Sequence, residues 1–161
     1  GEAVVSFDNN SARFVIADST LTCRLIEGRY PNYNSVIPQD NPNKLTVDRK
    51  AFVGALRRVQ PFASESTQSV RLHIEGSKLV VSSEDVDFAK TAKESMPCDY
   101  AGKTMDIGFK CPSLIEILSN IESDEVTIAL ADPSRAGVIV PSVQPENEEV
   151  LMLIMPMLLN D

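Results

Sequence analysis

The sequence predicts an α+β protein, a doubled β-α-β-β-β unit with two helices packed on curved antiparallel sheets. Three observations support this fold class. Short segments of strand-like alternation recur along the chain, only two segments carry apolar residues at helical spacing, and the same order of elements occurs twice between residues 44 and 157. The repeat is one of element order, since residue identity between the halves is not visible.

The first half reads as a strand, a helix and three more strands. Asp48 is a suitable N-cap, and Phe52, Leu56 and Val59 then recur at helical spacing, which predicts one apolar helix face. Strands are expected at residues 44–47, 70–75, 79–83 and 88–96.

The second half repeats this order. A helix is expected from Pro112 to Ile121, with proline in its first turn and with Leu114, Leu118 and Ile121 facing inward. Strands are expected at residues 104–109, 125–131, 137–140 and 150–155. Because neither half alone covers its apolar face, the two helices should lie side by side on one face of a shared sheet system.

The start of the chain predicts a separate piece. Two strands are expected at residues 12–17 and 21–27, and the composition of residues 28–43, rich in proline, asparagine and aspartate, predicts a domain boundary. The first residue is Gly1 rather than Met, so we expect a piece of something longer.

Charge and composition exclude several classes. With 23 acidic and 15 basic residues the net charge is -8, so any nucleic-acid contact must be local. The longest apolar run, residues 150–155, is far shorter than a membrane-spanning helix, which favours a soluble protein. Cys23, Cys98 and Cys111 form no C-x-x-C pair, which favours a reducing, cytoplasmic setting without bound zinc.

Catalytic chemistry has little support in the residues. The single histidine, His73, is out of phase with the core positions of its strand, and no phosphate-binding glycine spacing occurs. The acidic clusters at residues 84–87 and 146–149 lack calcium-loop spacing. We therefore expect no enzyme, cofactor or metal; a metal-dependent α+β enzyme that uses these acids is the less favoured alternative.

Two features remain to be explained. Lys50 and Arg57 fall nearly opposite the apolar stripe of the first helix, flanked by Arg49 and Arg58, and this basic face is either solvated or faces a polyanion. Near the C-terminus, apolar residues continue beyond Pro156 as Met157, Leu158 and Leu159, where burial in a last strand is harder to secure. Exposed Met and Leu there would suit an adaptable apolar pocket for partner segments.

Four motifs identify a resemblance. They are Glu27-Gly28-Arg29-Tyr30-Pro31-Asn32-Tyr33 with Val36-Ile37-Pro38, Met105-Asp106-Ile107-Gly108-Phe109, Asp132-Pro133-Ser134-Arg135-Ala136-Gly137, and Ile154-Met155-Pro156-Met157. In these motifs and their order the chain resembles the bacterial sliding clamps, the β subunits of DNA polymerase III. The resemblance implies the DNA-clamp fold, with residues 1–33 as the end of a middle domain and residues 34–161 as the third domain.

The resemblance also implies a function in DNA replication. Two clamp subunits close head to tail into a homodimeric ring around duplex DNA and act as a non-catalytic processivity factor, in the cytoplasm at the nucleoid. On the first helix this implies DNA-facing residues at Arg49, Lys50, Arg57 and Arg58. The second helix offers Lys110 but also Glu116 and Glu122. A protein-interaction scaffold that does not encircle DNA is the alternative.

Partner binding and ring closure follow from the same resemblance. The polymerase, the clamp loader and repair proteins insert a segment similar to Gln-Leu-x-Leu-Phe into an apolar pocket, with Pro31 and Val36 as one wall and the end of the chain as the floor. Small or apolar residues at positions 35, 67, 113 and 158 imply a wider, less polar pocket. The implied pocket residues are Pro31, Ser35, Val36, Thr67, Lys110, Ser113, Leu153, Ile154, Met155, Pro156, Met157, Leu158 and Leu159. The implied ring-interface residues are Pro61, Phe62, Lys90, Lys93 and Glu94.

Overall fold

The structure is a computed structural model that describes residues 1–159. These residues form two compact units, Gly1–Asn34 and a second unit that begins at Ser35. A short 3-10 turn, Tyr33–Ser35, lies where one unit gives way to the other along the chain. No helix in the described residues has the length and apolar character that a membrane crossing requires.

The first unit is a three-stranded antiparallel meander, where the sequence predicted only two strands. The strands are β1 (Ala3–Phe7), β2 (Ser11–Ile16) and β3 (Ser19–Arg24), in that order. The missed strand β1 pairs with β2 along its whole length. The turn between them is held by Asp8, whose carboxylate accepts hydrogen bonds from the amides of Asn10 and Ser11, each at 2.7 Å. These bonds lower the pKa of Asp8.

The second unit has the doubled β-α-β-β-β order that the sequence predicted. Its helices are α1 (Arg49–Val59) and α2 (Cys111–Ser119), and a 3-10 turn, Gln60–Phe62, follows α1. Its strands are β4 (Asn43–Asp48), β5 (Ser69–Glu75), β6 (Lys78–Asp85), β7 (Lys90–Pro97), β8 (Asp99–Tyr100), β9 (Met105–Lys110), β10 (Glu125–Leu130), β11 (Gly137–Pro141) and β12 (Met152–Ile154).

The halves of this unit exchange their first strands. One sheet has the order β7-β6-β5-β9 and the other the order β12-β11-β10-β4-β8. Strand β4 opens the first half but pairs with β10 of the second, with Leu45 opposite Ile128. Strand β9 opens the second half but pairs with β5 of the first, with Ile107 opposite Leu72. Neither half can therefore complete its sheet without the other.

One core lies between the helices and the sheets. Phe52 and Leu56 of α1 and Leu114 and Leu118 of α2 are fully buried, and all four belong to the same apolar cluster as the inward residues of both sheets. The helices also contact each other, as expected from the element order. Ile121 is buried as predicted but lies beyond α2, which ends at Ser119.

Two strand predictions needed correction. Strand β8 was missed because it has only two residues, of which Tyr100 pairs with Leu45. Strand β12 is shorter than the predicted 150–155. At Val150 the backbone groups bond the side chain of Gln144 instead of a neighbouring strand. The amide of Val150 donates to Gln144 Oε1 at 2.8 Å, and its carbonyl accepts from Gln144 Nε2 at 3.0 Å.

Replacing Asp48 by alanine should destabilise the second unit by about 1 kcal/mol. Asp48 is the N-cap of α1, and its carboxylate accepts a hydrogen bond from the Ala51 amide at 2.6 Å. Urea unfolding followed by circular dichroism measures the loss. Asp48→Asn keeps a capping oxygen and should lose much less; equal losses in both variants would show that the cap contributes nothing.

Candidate functional site

The end of the described chain joins the two sheets of the second unit. We call residues 155–159 the terminal segment. After β12 the segment leaves its own sheet and reaches β9 of the other, where the Met157 amide donates to the Gly108 carbonyl at 2.8 Å. Ile154 is buried, but Met155 is 63% exposed and Leu158 88% exposed. Burial in a last strand therefore accounts for Ile154 and not for the apolar residues beyond it.

Gly108 makes the close approach of the terminal segment possible. A Cβ atom at this position would lie 2.9 Å from the carbonyl oxygen of Met157 and 2.7 Å from Cδ2 of Leu159. The first distance is to backbone and is shorter than real Cβ contacts allow. The strand position that receives the segment therefore requires a residue without a side chain.

A groove of about 310 Å³ runs along one side of the terminal segment. It brings together four predicted pocket residues, Thr67 with Met157, Leu158 and Leu159. Its other lining is mostly polar. The polar lining consists of Ser64, Ser69, Arg71, Ser82, Ser83, Glu84, Asp85, Asp87 and Thr91. The apolar surface in this groove is thus limited to Val86 and the terminal segment itself.

A second groove, of about 380 Å³, borders the same segment. Arg71, Asp106 and the 132–134 turn line it opposite Met157, Leu158 and Leu159. Asp132 is oriented by Ser134, whose hydroxyl and amide donate to Oδ1 at 2.6 and 2.8 Å. These bonds lower the pKa of Asp132. Sequence reasoning did not assign Arg71, Asp106 or Asp132 to the site, although two of them lie in motifs that carried the resemblance.

His73 lies on the outward face of β5, as its phase predicts. Its Nδ1 atom is 3.1 Å from Asp106 Oδ2, and its side chain is partly exposed. Arg71 Nη1 lies 3.7 Å from the other oxygen of Asp106. The histidine therefore belongs to a charged patch beside the second groove.

The other predicted pocket residues occupy different environments. Ser35 and Val36 are exposed at the start of the second unit, and Lys110 is exposed at the start of α2. Ser113, Leu153 and Pro156 are partly buried. Pro31 belongs to the first unit, where it is exposed.

The four predicted DNA-facing residues differ in their partners. Arg49 is partly buried, and its guanidinium donates to the Ser123 carbonyl at 2.6 Å and to the Leu118 carbonyl at 3.1 Å. A cation at this point stabilises the C-terminal end of α2. Lys50 is exposed, with its Nζ 3.6 Å from Asp124 Oδ1. Arg49 is thus a structural link between the helices.

Arg57 and Arg58 are adjacent in sequence, but only one of them has a partner. Arg58 forms a bidentate pair with Glu94 of β7, with Nε–Oε1 at 2.5 Å and Nη2–Oε2 at 2.7 Å. Arg57 is exposed and has no hydrogen bond or ion pair within residues 1–159. Of the three exposed basic residues of α1, Arg57 is therefore the one without a partner in residues 1–159, whereas Lys50 and Arg58 are paired with Asp124 and Glu94.

The predicted ring-interface residues gather around the edge strand β7. Pro61 and Phe62 lie in the 3-10 turn after α1, which packs near β7, and Phe62 is 38% exposed. Lys90 and Lys93 are exposed, and the Lys90 ammonium lies 4.8 Å from the centre of the Phe88 ring. In the part of the chain that the structure describes, strand β7 has a neighbour on one side only, β6.

Metal and thiol chemistry find no prepared site in residues 1–159. No group of three or more His, Cys, Asp or Glu side chains in this range could hold a metal ion. Cys111 is fully buried at the start of α2, with its Sγ atom 3.7 Å from the Leu56 carbonyl oxygen. Burial raises the pKa of this thiol to about 11.

Cys111 should therefore resist alkylation in the folded protein. At pH 8 its thiolate fraction is very small because the pH lies far below the raised pKa, and burial also excludes the reagent. Iodoacetamide labelling read by peptide mass spectrometry should modify the partly exposed Cys23 first and Cys111 only after addition of urea. Equal labelling of both thiols without urea would contradict the burial of Cys111.

Comparisons with known proteins agree with this fold. The family model described as DNA polymerase III beta subunit, C-terminal domain, matches residues 34–158. A beta sliding clamp of Caulobacter vibrioides is 31% identical over 153 residues, which cover 94% of this chain and 41% of the relative. The chain thus spans about two fifths of the length of the curated relatives it matches.

Solved structures show the same likeness over almost the whole chain. A sliding clamp of Bartonella birtlesii, crystallised with griselimycin, has a TM-score of 0.91 and 28% identity, over 99% of this chain and 42% of that one. The Caulobacter crescentus pol III beta structure has a TM-score of 0.89 and 29% identity, over 98% of this chain and 41% of that one. The chain therefore belongs to the family of the DNA polymerase III beta subunit, whose C-terminal domain accounts for residues 34–158.

Proposed function

We propose that this chain is the C-terminal portion of a DNA sliding clamp, a non-catalytic processivity factor of bacterial replication that works in the cytoplasm. In this proposal the second unit is the third clamp domain and residues 1–33 end the middle domain. Family membership and the exposed terminal segment support it. The complete protein would form a homodimeric ring around duplex DNA.

The observation that carries the partner-binding part is the exposure of Met155 and Leu158 beside two grooves. Large apolar side chains at a surface mark binding sites when a partner can cover them. Methionine is flexible and polarizable, so it adapts to different apolar ligands. The terminal segment follows Ile154 of β12 in one sheet and bonds through Met157 to β9 of the other, which gives these exposed side chains a fixed base.

The ligand is a short segment similar to Gln-Leu-x-Leu-Phe, carried by the polymerase, the clamp loader and repair proteins. Its two leucines and phenylalanine would cover Met155 and Leu158, and its glutamine would meet the polar lining of a groove. The binding of griselimycin by the similar Bartonella birtlesii clamp is consistent with a ligand site on this fold. Val36, exposed at the start of the second unit, would add to the pocket.

Fluorescence anisotropy tests this pocket directly. A labelled Gln-Leu-Ser-Leu-Phe peptide should bind the chain, whereas a peptide with both leucines and the phenylalanine changed to alanine should not. Binding of both peptides with equal affinity would defeat the assignment. Binding by a full-length clamp but not by this chain would show that residues outside the chain supply an essential part of the pocket.

The DNA-encircling role is carried by the accessible charge on α1. Lys50 and Arg57 place exposed cations on this helix in a protein of net charge -8, so attraction for phosphate is local and does not come from the overall charge. Contacts with the phosphate backbone carry no sequence information and so permit sliding. A full-length ring that carries this chain should stay on circular DNA and leave linear DNA at its ends; equal retention on both would favour a scaffold that does not encircle DNA.

A further inference from the structure

We propose that Arg58 is a positioning residue for the edge strand β7 and that its side chain does not serve as a contact for the DNA backbone. This inference rests on the ring function proposed above, because β7 lies in the region where the ring interface is expected. It gives Arg58 a role other than the DNA contact that its place on the basic face of α1 suggests.

The pair has the geometry of a strong, directional contact. Two guanidinium nitrogens of Arg58 each donate to a different oxygen of Glu94, at 2.5 and 2.7 Å. Such parallel bonds fix both the distance and the plane of the two groups. They also lower the pKa of the Glu94 carboxyl. The pair joins the last turn of α1 to a strand 36 residues further along the chain.

Glu94 lies on the helix-facing side of β7. Side chains alternate along a strand, and Ala92 and Met96, two residues to either side, both pack against the core. The Glu94 side chain is accordingly only 31% exposed, although it carries a charge. A partly exposed carboxylate in this position is neutralised by a cation that bonds both of its oxygens. Arg58 supplies that cation.

The helix leaves room for this interaction at Gly54, one turn before Arg58. A Cβ atom at position 54 would lie 3.1 Å from Arg58 Nη1, tighter than most real contacts. Glycine is disfavoured inside helices, yet here it sits in the middle of α1. Its presence allows the guanidinium to lie close along the helix surface towards Glu94.

The pair with Glu94 gives the neighbouring residues Arg57 and Arg58 different roles. A phosphate that binds Arg58 must compete with a carboxylate that already accepts two of its hydrogen bonds. Arg57 has no such partner within the described residues and is exposed. Strand β7 pairs with β6 along its whole length, and within residues 1–159 its other edge has no partner, so the Arg58–Glu94 pair adds a tie from this edge strand to α1. Arg58 therefore acts on the interface, and Arg57 on DNA.

The test compares Arg58→Gln with Arg57→Gln in a full-length ring. Arg58→Gln should raise the dimer dissociation constant about tenfold in sedimentation and leave the salt dependence of duplex DNA binding unchanged. Arg57→Gln should leave the dimer unchanged and reduce the slope of log K against log salt by about 1 per lost phosphate contact in each subunit. The exchanged pair, Arg58→Glu with Glu94→Arg, should restore dimerisation to within about threefold of wild type.

The opposite pattern would overturn the proposal. If Arg58→Gln reduces the salt slope and leaves the dimer intact, Arg58 is a DNA contact. Hydrogen exchange on the 161-residue chain gives a second, independent measurement: the amides of β7 should exchange faster in Arg58→Gln than in Arg57→Gln. Equal exchange would refute positioning. A wild-type protein that forms no ring would instead disprove the proposed function. The exchange data would still show whether Arg58 holds β7 in position.

Discussion

Replacing Met155 and Met157 by alanine is expected to weaken binding of the Gln-Leu-Ser-Leu-Phe peptide more than tenfold, about 1.4 kcal/mol. Met155 is largely exposed in the free chain, so a bound peptide would remove its side chain from water. Full burial of a methionine side chain contributes roughly 1.5–3 kcal/mol. Met157 is partly buried beside both grooves and borders any ligand that lies along the terminal segment.

The design separates binding from stability. Met155→Ala alone should leave the urea midpoint nearly unchanged because the side chain has few contacts to lose. Met96→Ala is the matched control. Met96 packs against the core from β7, which lies at the opposite edge of its sheet from β9, the strand that receives the terminal segment. This variant should lower stability and leave peptide affinity unaltered. An unchanged dissociation constant in the double variant would remove the terminal segment from the pocket.

Local signals predicted most of the elements in the second unit. The N-cap at Asp48 and the helical spacing of Phe52 and Leu56 depend on residues within one or two turns, and the structure confirms α1 where they indicated it. The phase of His73 likewise depends on its own strand. Motifs added the family, which no periodicity could supply.

Contacts between residues far apart in sequence could not be predicted from these local signals. The exchange of β4 and β9 between the halves joins strands far apart in sequence, and either arrangement would leave the same alternation in each strand. The roles of Arg49 and Arg58 were hidden for the same reason. Their partners, Leu118 and Ser123 for Arg49 and Glu94 for Arg58, lie 36 to 74 residues away. A helical wheel shows that such residues point outward, but not what they meet.

The grooves illustrate a similar limit on sequence reasoning. The terminal segment was recognised by the apolar residues beyond Pro156, of which Leu158 is exposed as expected. Met155, which the sequence placed in the last strand, lies beyond β12 and is also exposed. Its polar surroundings come from the loop before β5, from strands β5, β6, β7 and β9, and from the turns that follow β6 and β10, which the fold brings to one place. Thr67 was placed in the pocket through the resemblance, whereas Arg71 and Asp132 carried no local signal of a groove.

Replacing Gly108 by alanine should detach the terminal segment and lower peptide affinity at least tenfold. The added Cβ would stand 2.9 Å from the Met157 carbonyl oxygen, so backbone must move, and the 2.8 Å hydrogen bond from the Met157 amide to the Gly108 carbonyl would be strained. Overpacking of this kind costs about 1–3 kcal/mol in unfolding free energy. Peptide anisotropy and urea unfolding measure the two effects.

Gly137→Ala is the matched control for this prediction. Gly137 also lies in a strand, β11, but a Cβ there would meet the end of the Leu130 side chain at 3.0 Å, and the nearest backbone atom is 3.8 Å away. Gly137 pairs with Ile154 of β12 through backbone groups that a Cβ atom does not block. The buried Leu130 side chain must repack at a cost in unfolding free energy, but the variant should keep the terminal segment in place and bind the peptide with nearly wild-type affinity. If Gly108→Ala binds as tightly as Gly137→Ala, the contact with β9 does not hold the segment in its binding form. A loss confined to Gly108→Ala would show that the strand glycine, far from the end of the chain in sequence, sets the position of the pocket floor.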